Sequence, residues 1–400
     1  MNENLELIVG DKPLSFRISP EKVQVFPKQS VERPTLSPRE QMHAALHNPR
    51  DLNAPMFRAI TPDDRVCIVI DEQLPHLTEL LAEVLRHLQL GGINLANVVL
   101  LVPPNSTQQP WADDLPDELA DVHVEVHEPG NKEKLAYLAT TQSGRRVYLN
   151  RTLVEAGFHL VLTGRKFDAT FGYSGAEIAM FPTLSDDETR EALAKTTAKT
   201  STAVRAEAAE VTYLCGLPFF VQVIEGDGDV IAEVIAGLPT STAHGIAALE
   251  ELRRVRVEEE AELVIVSISG SAERITFLDL ARAAYTASKL VQERGRIVLL
   301  CDAAPVFDAA TEVLRRSEDP EEAKQLLRRS QHIDQYAARA WATATQRASL
   351  FLMSGYPEDV VEELFADTIE KPAEVQRLID AARSVIIVRD AHKAAFGTSE

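Results

Sequence analysis

Short runs of consecutive apolar residues alternate along this chain with longer segments in which apolar residues recur every three or four positions. Val66–Ile70 (VCIVI), Val98–Val102 (VVLLV), Phe158–Leu162 (FHLVL) and Leu263–Ile268 (LVIVSI) are runs of the first kind. Each is too short for a helix, rich in β-branched residues and nearly without polar positions, the pattern of a strand covered on both faces of a parallel sheet. Leu77, Leu80, Leu81, Val84, Leu85 and Leu88 form a stripe of the second kind. Pro75 precedes it and Gly91-Gly92 closes it, which predicts an amphipathic helix. A helix from Thr276 to Glu293, a strand at Arg296–Leu300 and a last strand at Ser384–Val388 continue the alternation. Strands and helices in turn make βαβ units, hence an α/β fold.

The remaining patterns fill in this frame. Residues 5–19 read as a hairpin turning at Gly10-Asp11-Lys12-Pro13, and three prolines within 26–40 mark a linker. Met42–Leu46 predicts a short helix. The alternation over Val122–Val126 predicts a strand ending at His127-Glu128, and Val147–Leu149 predicts another. Asn150 then caps a helix over Arg151–Ala156, because its side-chain oxygen accepts from free N–H groups of the first turn. Residues 185–210 read as a helix capped by Ser185. Phe219–Glu225 and Val230–Val234 read as a hairpin about Gly226-Asp227-Gly228, which lacks the third glycine of a dinucleotide fingerprint. Thr242–Arg256 reads as a helix between domains, and 308–382 as mostly helical with a break at Gly355-Tyr356-Pro357.

Four hundred residues exceed one compact core. Two domains are expected, 1–255 and 256–400, each an open, mostly parallel sheet flanked by helices. The chain carries 61 acidic against 41 basic residues, a net charge of −20. That field repels polyanions, so neither nucleic acid nor an anionic membrane is an expected partner. No run approaches eighteen apolar residues, and the opening MNENLELIVGDK lacks a signal pattern, so a cytoplasmic location is expected. Cys67, Cys215 and Cys301 show no metal-binding or redox spacing, and Cys67 and Cys301 sit in apolar runs as small hydrophobes.

In open α/β sheets, ligands bind beyond the carboxyl ends of the strands. The loop after Leu162 carries Arg165, Lys166 and Asp168, then Gly172-Tyr173-Ser174-Gly175. Together with Asn150-Arg151, Val154-Glu155-Ala156, Gly164 and Pro182, this stretch resembles the signature of the nickel-pincer lactate racemase family. The resemblance extends over nearly the whole chain in element order. It implies a two-domain α/β protein that racemises or epimerises 2-hydroxy acids through a lysine-bound pincer nucleotide carrying nickel.

The resemblance also implies where this chain departs from the family. Ile178 stands where the anchoring lysine belongs, and Asp168 where a catalytic histidine belongs. After the first core strand Asp71 and Pro75 match, but Leu74 replaces an arginine. Thr107 or Gln108 replaces a second histidine, with no histidine anywhere in 88–122. No histidine lies between 160 and 243 to ligate nickel. His127 keeps a motif histidine, and Asp279 and Arg282 stand for a glutamine and a lysine that hold substrate. The expectation is a small-anion-binding protein with a degenerate site, no pincer cofactor and no metal. Its ligand is a carboxylate or phosphate metabolite held by Asp71, Gln73, Thr107, Gln108, Arg165, Lys166 and Glu177 on one wall, and Asp279 and Arg282 on the other. The alternative is a divergent isomerase, racemase or lyase of a 2-hydroxy acid or related carboxylate, with Asp168 and His127 as its acid–base groups.

Overall fold

The computed structural model describes residues 3–27, 34–106, 108–168, 171–194, 201–330 and 335–396. The chain begins with the antiparallel hairpin β1 (Glu3–Val9) and β2 (Lys12–Ile18), then β3 (Val23–Phe26). Helix α1 (Pro38–His47) opens with a reciprocal capping box between Ser37 and Glu40. Strand β4 (Val66–Ile70), helix α2 (Leu77–Leu90), strand β5 (Val98–Val102), helix α3 (Pro110–Asp113) and strand β6 (His123–Val126) follow. A small hairpin, β7 (Leu135–Thr140) and β8 (Arg146–Asn150), leads to helix α4 (Arg151–Glu155) and strand β9 (Phe158–Gly164). A second small hairpin, β10 (Lys166–Asp168) and β11 (Gly172–Ser174), precedes helices α5 (Ala176–Met180), α6 (Asp187–Ala194) and α7 (Ser201–Leu214). The hairpin β12 (Phe219–Glu225) and β13 (Ile231–Gly237) and helix α8 (Thr242–Arg253) complete this unit.

Its six-stranded sheet has the order β13-β12-β9-β4-β5-β6, parallel throughout except for the edge pair β12–β13. The continuous apolar runs make sense here. Ile68, Leu100 and Leu160 face the α1–α2 side with the leucine stripe of α2. Cys67, Val69 and Val161 face the other side, against Met180, Phe181 and Val211.

The second unit contains β14 (Ala261–Ser267), α9 (Phe277–Ser288), β15 (Val291–Leu300), α10 (Thr311–Arg315), α11 (Pro320–Arg329) and α12 (Tyr336–Arg347). It ends with β16 (Ser349–Met353), α13 (Glu358–Glu363), β17 (Ala366–Thr368), α14 (Pro372–Ala381) and β18 (Val385–Val388). Its sheet, β17-β16-β15-β14-β18-β3, is parallel throughout. α9 and α12, with the buried Trp341, cover one face. The β1–β2 hairpin and α14 cover the other, bringing Leu7, Phe16 and Ile18 against Ile265, Val298 and Ile379.

The structure therefore has the two sheets expected, and it corrects several details. Residues 3–26, placed with the first unit on sequence grounds, belong to the second: β3 joins its sheet at the edge, and the separate β1–β2 hairpin covers one face of it. The helix expected over Thr276–Glu293 stops at Ser288, and residues from Val291 already belong to β15. β16 and β17 lie inside the stretch read as helical, because a short apolar run such as SLFLM has no period that separates strand from helix. Asp186, not Ser185, caps α6, accepting from Thr189 N at 2.7 Å. Residues 195–200 of that predicted helix lie outside the described residues. No helix among the described residues is long and apolar enough to cross a membrane.

Candidate functional site

The carboxyl ends of both sheets turn toward each other, and a cleft of about 420 Å³ opens between them. Asp71 and Gln73 follow β4 into it, Lys166 leads from β9 into β10, and Ile178 projects from α5. The first turn and a half of α9 supply the opposite wall with Asp279 and Arg282. The chain folds this way locally for identifiable reasons. Asp71 bends the chain after β4 by accepting from Gln73 N at 3.0 Å and from Gly164 N at 3.3 Å. It caps no helix, since α2 starts from His76 in a left-handed conformation. Asp279 closes a capping box on α9, its carboxylate taking Thr276 N at 2.9 Å and Thr276 Oγ at 2.7 Å.

Five sequence-predicted residues thus meet at the cleft: Asp71, Gln73, Lys166, Asp279 and Arg282. The cations among them are paired loosely. Lys166 Nζ lies 3.4 Å from Asp71 and 3.8 Å from Glu225. Arg282 lies 3.5 Å from Asp168 and 3.6 Å from Asp279. Burial works against the charge on Lys166, yet Asp71 and Glu225 hold its pKa above the ordinary lysine value. Asp279 is also depressed in spite of burial, by His392, Arg282 and Lys166 together.

The other predicted residues lie elsewhere. Arg165 is buried and committed to the protein itself, donating to Gln222 Oε1 from Nε at 3.0 Å and to Glu177 from Nη1 at 3.2 Å. Glu177, expected on the wall, also accepts from the Thr242 hydroxyl and is consumed by this network. A Cβ on Gly175 would stand 2.5 Å from the Arg165 guanidinium carbon, so this glycine of the resemblance motif makes room for arginine. His127 is buried away from the cleft. Its Nε2–H donates to the Ser185 carbonyl at 2.9 Å, which leaves Nδ1 facing Asn150 Nδ2 at 3.5 Å. Burial pushes its pKa below the usual value, and its bonds are those of a clamp between β6 and the α5–α6 loop. Asp168 holds the β10–β11 turn through Phe171 N at 3.1 Å and meets Arg282 of the cleft wall at 3.5 Å. Gln108 is exposed and does not line the cleft, and Thr107 lies outside the described residues.

Four residues missed on sequence grounds adjoin the cleft floor: Glu225, Arg274, His392 and Lys393. Glu225 is buried where both domains meet, with Arg274 and Lys393 each at 3.3 Å. Burial alone would raise its pKa, but Lys393, Lys166 and Arg274 hold it well below the carboxylate range. Burial and Lys393 push His392 down to about 4. Nearby, Asp390 accepts from Ser269 N, Ser269 Oγ and Gly228 N and so ties β18, β14 and the β12–β13 turn together. Glu225 ends β12, His392-Lys393 follow β18 and Arg274 follows β14. The signal that would have found them is position beyond a strand's carboxyl end.

Residues 9–203 match the sequence profile described as "Lactate racemase N-terminal domain". A search of curated proteins returned no match. Among solved structures, the lactate racemase apoprotein from Thermoanaerobacterium thermosaccharolyticum aligns with a TM-score of 0.75 at 17% identity, covering 99% of this chain and 100% of that one. A protein from Thermotoga maritima aligns with a TM-score of 0.66 at 11% identity, covering 90% of this chain and 98% of that one. The chain is therefore similar in sequence to the lactate racemase N-terminal domain over residues 9–203 and shares the fold of the lactate racemase apoprotein over its full length.

Proposed function

We propose that this protein binds a small carboxylate or phosphate in the inter-domain cleft and does not racemise 2-hydroxy acids. One observation carries the reading. Arg282 stands on the cleft wall with only long ion pairs at its Nη atoms, while its buried Nε has no hydrogen-bond acceptor among the described residues. An incompletely satisfied guanidinium beside a cavity is suited to a two-pronged anion. Thr163 Oγ1, also on the wall and also without a hydrogen-bond partner among the described residues, adds a donor.

The residues present do not fit a nickel-pincer nucleotide. Half-buried Ile178 borders the cleft at the position that the family resemblance gives to the anchoring lysine, and Leu74, at the arginine position, is packed into the core. Among the described residues the cleft walls carry no histidine, and the one at its floor, His392, is buried beside Lys393. The purified protein is therefore expected to carry neither stoichiometric nickel nor a covalent nucleotide, which metal analysis and intact mass will read. The alternative as an isomerase or lyase loses its acid–base pair, because neither Asp168 nor His127 lines the cleft. Three free, buried cysteines accord with a cytoplasmic protein.

The test is calorimetric titration of oxalate, lactate and phosphate into wild type and Arg282→Gln, with a chiral assay of each lactate enantiomer alongside. Wild type should bind at least one of these anions about tenfold more tightly than the variant, the loss of one charge-assisted contact. Equal binding by both proteins, no binding by wild type, or turnover of lactate would each defeat the proposal.

A further inference from the structure

The sequence pattern predicts no metal site, but the packing of α1 on α2 brings together side chains far apart in sequence. His43 and His47 lie one turn apart on α1, and Glu83 and His87 one turn apart on α2. Nδ1 of His43 is 2.8 Å from Glu83 Oε1, and Nδ1 of His87 is 3.9 Å from the same oxygen. One ligand atom from each of these three residues falls within 4.8 Å of the others. His87 is fully buried, and neither of its ring nitrogens has a hydrogen-bond partner among the described residues. Buried polar atoms are seldom left so, and a buried imidazole without a partner points to something the described side chains do not supply.

We propose that His43, Glu83 and His87 form a binding site for a divalent first-row transition metal, with Zn²⁺ as its reference ion. Zinc holds nitrogen and oxygen ligands at about 2.0–2.2 Å, which puts neighbouring ligand atoms of a tetrahedron about 3.4 Å apart. The two distances to Glu83 Oε1 fall on either side of that value, so small side-chain movements complete the geometry. Two imidazoles and one carboxylate favour zinc and its neighbours over calcium or magnesium, which require mostly oxygen. Glu83 is already oriented as a one-oxygen ligand. Arg39 Nε holds Oε2 at 3.0 Å and Arg86 Nη1 approaches it at 3.8 Å, leaving Oε1 to the histidines. Outer contacts of this kind fix a ligand's direction. Burial, then the neighbouring His43, lowers the pKa of His87, the direction that favours metal over proton. His47, its ring 5.8 Å from that of His43, or water takes the fourth position.

This site is independent of the cleft reading. None of its residues lines the cleft, and His87 lies near the end of α2, whose start is beside the cleft. A metal here would join the two outer helices of the first unit.

The full-length protein, stripped with chelator and dialysed, is titrated calorimetrically with ZnCl₂, and Co²⁺ is added separately to record the visible spectrum of a tetrahedral site. His43→Ala is the primary variant because that side chain is 54% exposed and its loss leaves the core intact. Glu83→Gln is the second, and His244→Ala, an exposed histidine on α8, is the control. Wild type and the control should bind one zinc per chain and show the cobalt spectrum. His43→Ala should bind at least tenfold more weakly. If wild type takes up no zinc, or His43→Ala binds it with unchanged stoichiometry and affinity, the site does not exist.

Discussion

Glu225→Gln removes one buried negative charge and almost no volume. The carboxylate belongs to the first sheet, yet two of its three cations, Arg274 and Lys393, belong to the second unit, each at 3.3 Å. Lys166 is the third, at 3.8 Å. At an effective dielectric near 20, a pair at 3.3 Å is worth about 5 kcal/mol before desolvation is subtracted. Breaking a buried pair costs about 3–5 kcal/mol in practice. The lower end applies here, because every cation keeps another partner: Lys166 keeps Asp71, Arg274 keeps Asp229 at 2.9 Å, and Lys393 keeps the Gly226 carbonyl at 3.0 Å. The expected loss is about 3 kcal/mol, concentrated on the contact between domains.

The two tryptophans allow that loss to be located. Trp111 packs in the first unit and Trp341 is buried in the second, so single-tryptophan variants report the units separately in urea. In wild type the two transitions should nearly coincide, and in Glu225→Gln they should separate. The sign with pH follows from the depressed pKa. The contribution is fully present above the unfolded value of about 4.3 and is lost as pH falls below it toward the folded value. The gap between wild type and variant should therefore narrow below about pH 4. A gap under about 1 kcal/mol at neutral pH, the worth of an exposed ion pair, or one that stays constant into acid, would refute the reasoning.

Two further outcomes are expected. His392 has a folded pKa near 4 against about 6.5 unfolded, so the unfolded chain binds the extra proton between these values and stability falls as pH drops from 6.5 to 4. His392→Gln should abolish up to roughly 3 kcal/mol of that acid loss, read as a flatter dependence of the urea midpoint on pH; an unchanged slope would show that the imidazole titrates normally. Asn150→Ala removes the cap on Leu153 N at 3.2 Å and the bond to Glu125 Oε1 at 3.0 Å, and should destabilise the first unit by about 2 kcal/mol in the Trp111 transition, with a loss below about 0.5 kcal/mol counting against the capping role.

The sequence by itself determined the core strands. A strand covered on both faces must be apolar at every position, so Val66–Ile70 and Val98–Val102 were legible to the residue. The leucine stripe of α2 and the Asn150 cap were legible for the same reason: the information lies within one turn or one face. The carboxyl-end rule pointed to the loop that carries Lys166, and the family resemblance to Asp71, Asp279 and Arg282; the structure brings all four to one cleft. Tertiary structure decided the rest. Nothing local in residues 3–26 says that β3 joins the second sheet or that the β1–β2 hairpin covers it, since an edge strand is chosen by the partner it meets. Arg165 and Lys166 are adjacent and chemically alike, yet alternation along the chain sends Arg165 into a buried network with Gln222 and Glu177 and leaves Lys166 at the cleft. The partners of Glu225 come from residues 166, 274 and 393. His87 faces Glu83 one helix turn away and His43 on another helix, so only the folded chain brings together groups separated by such distances in sequence.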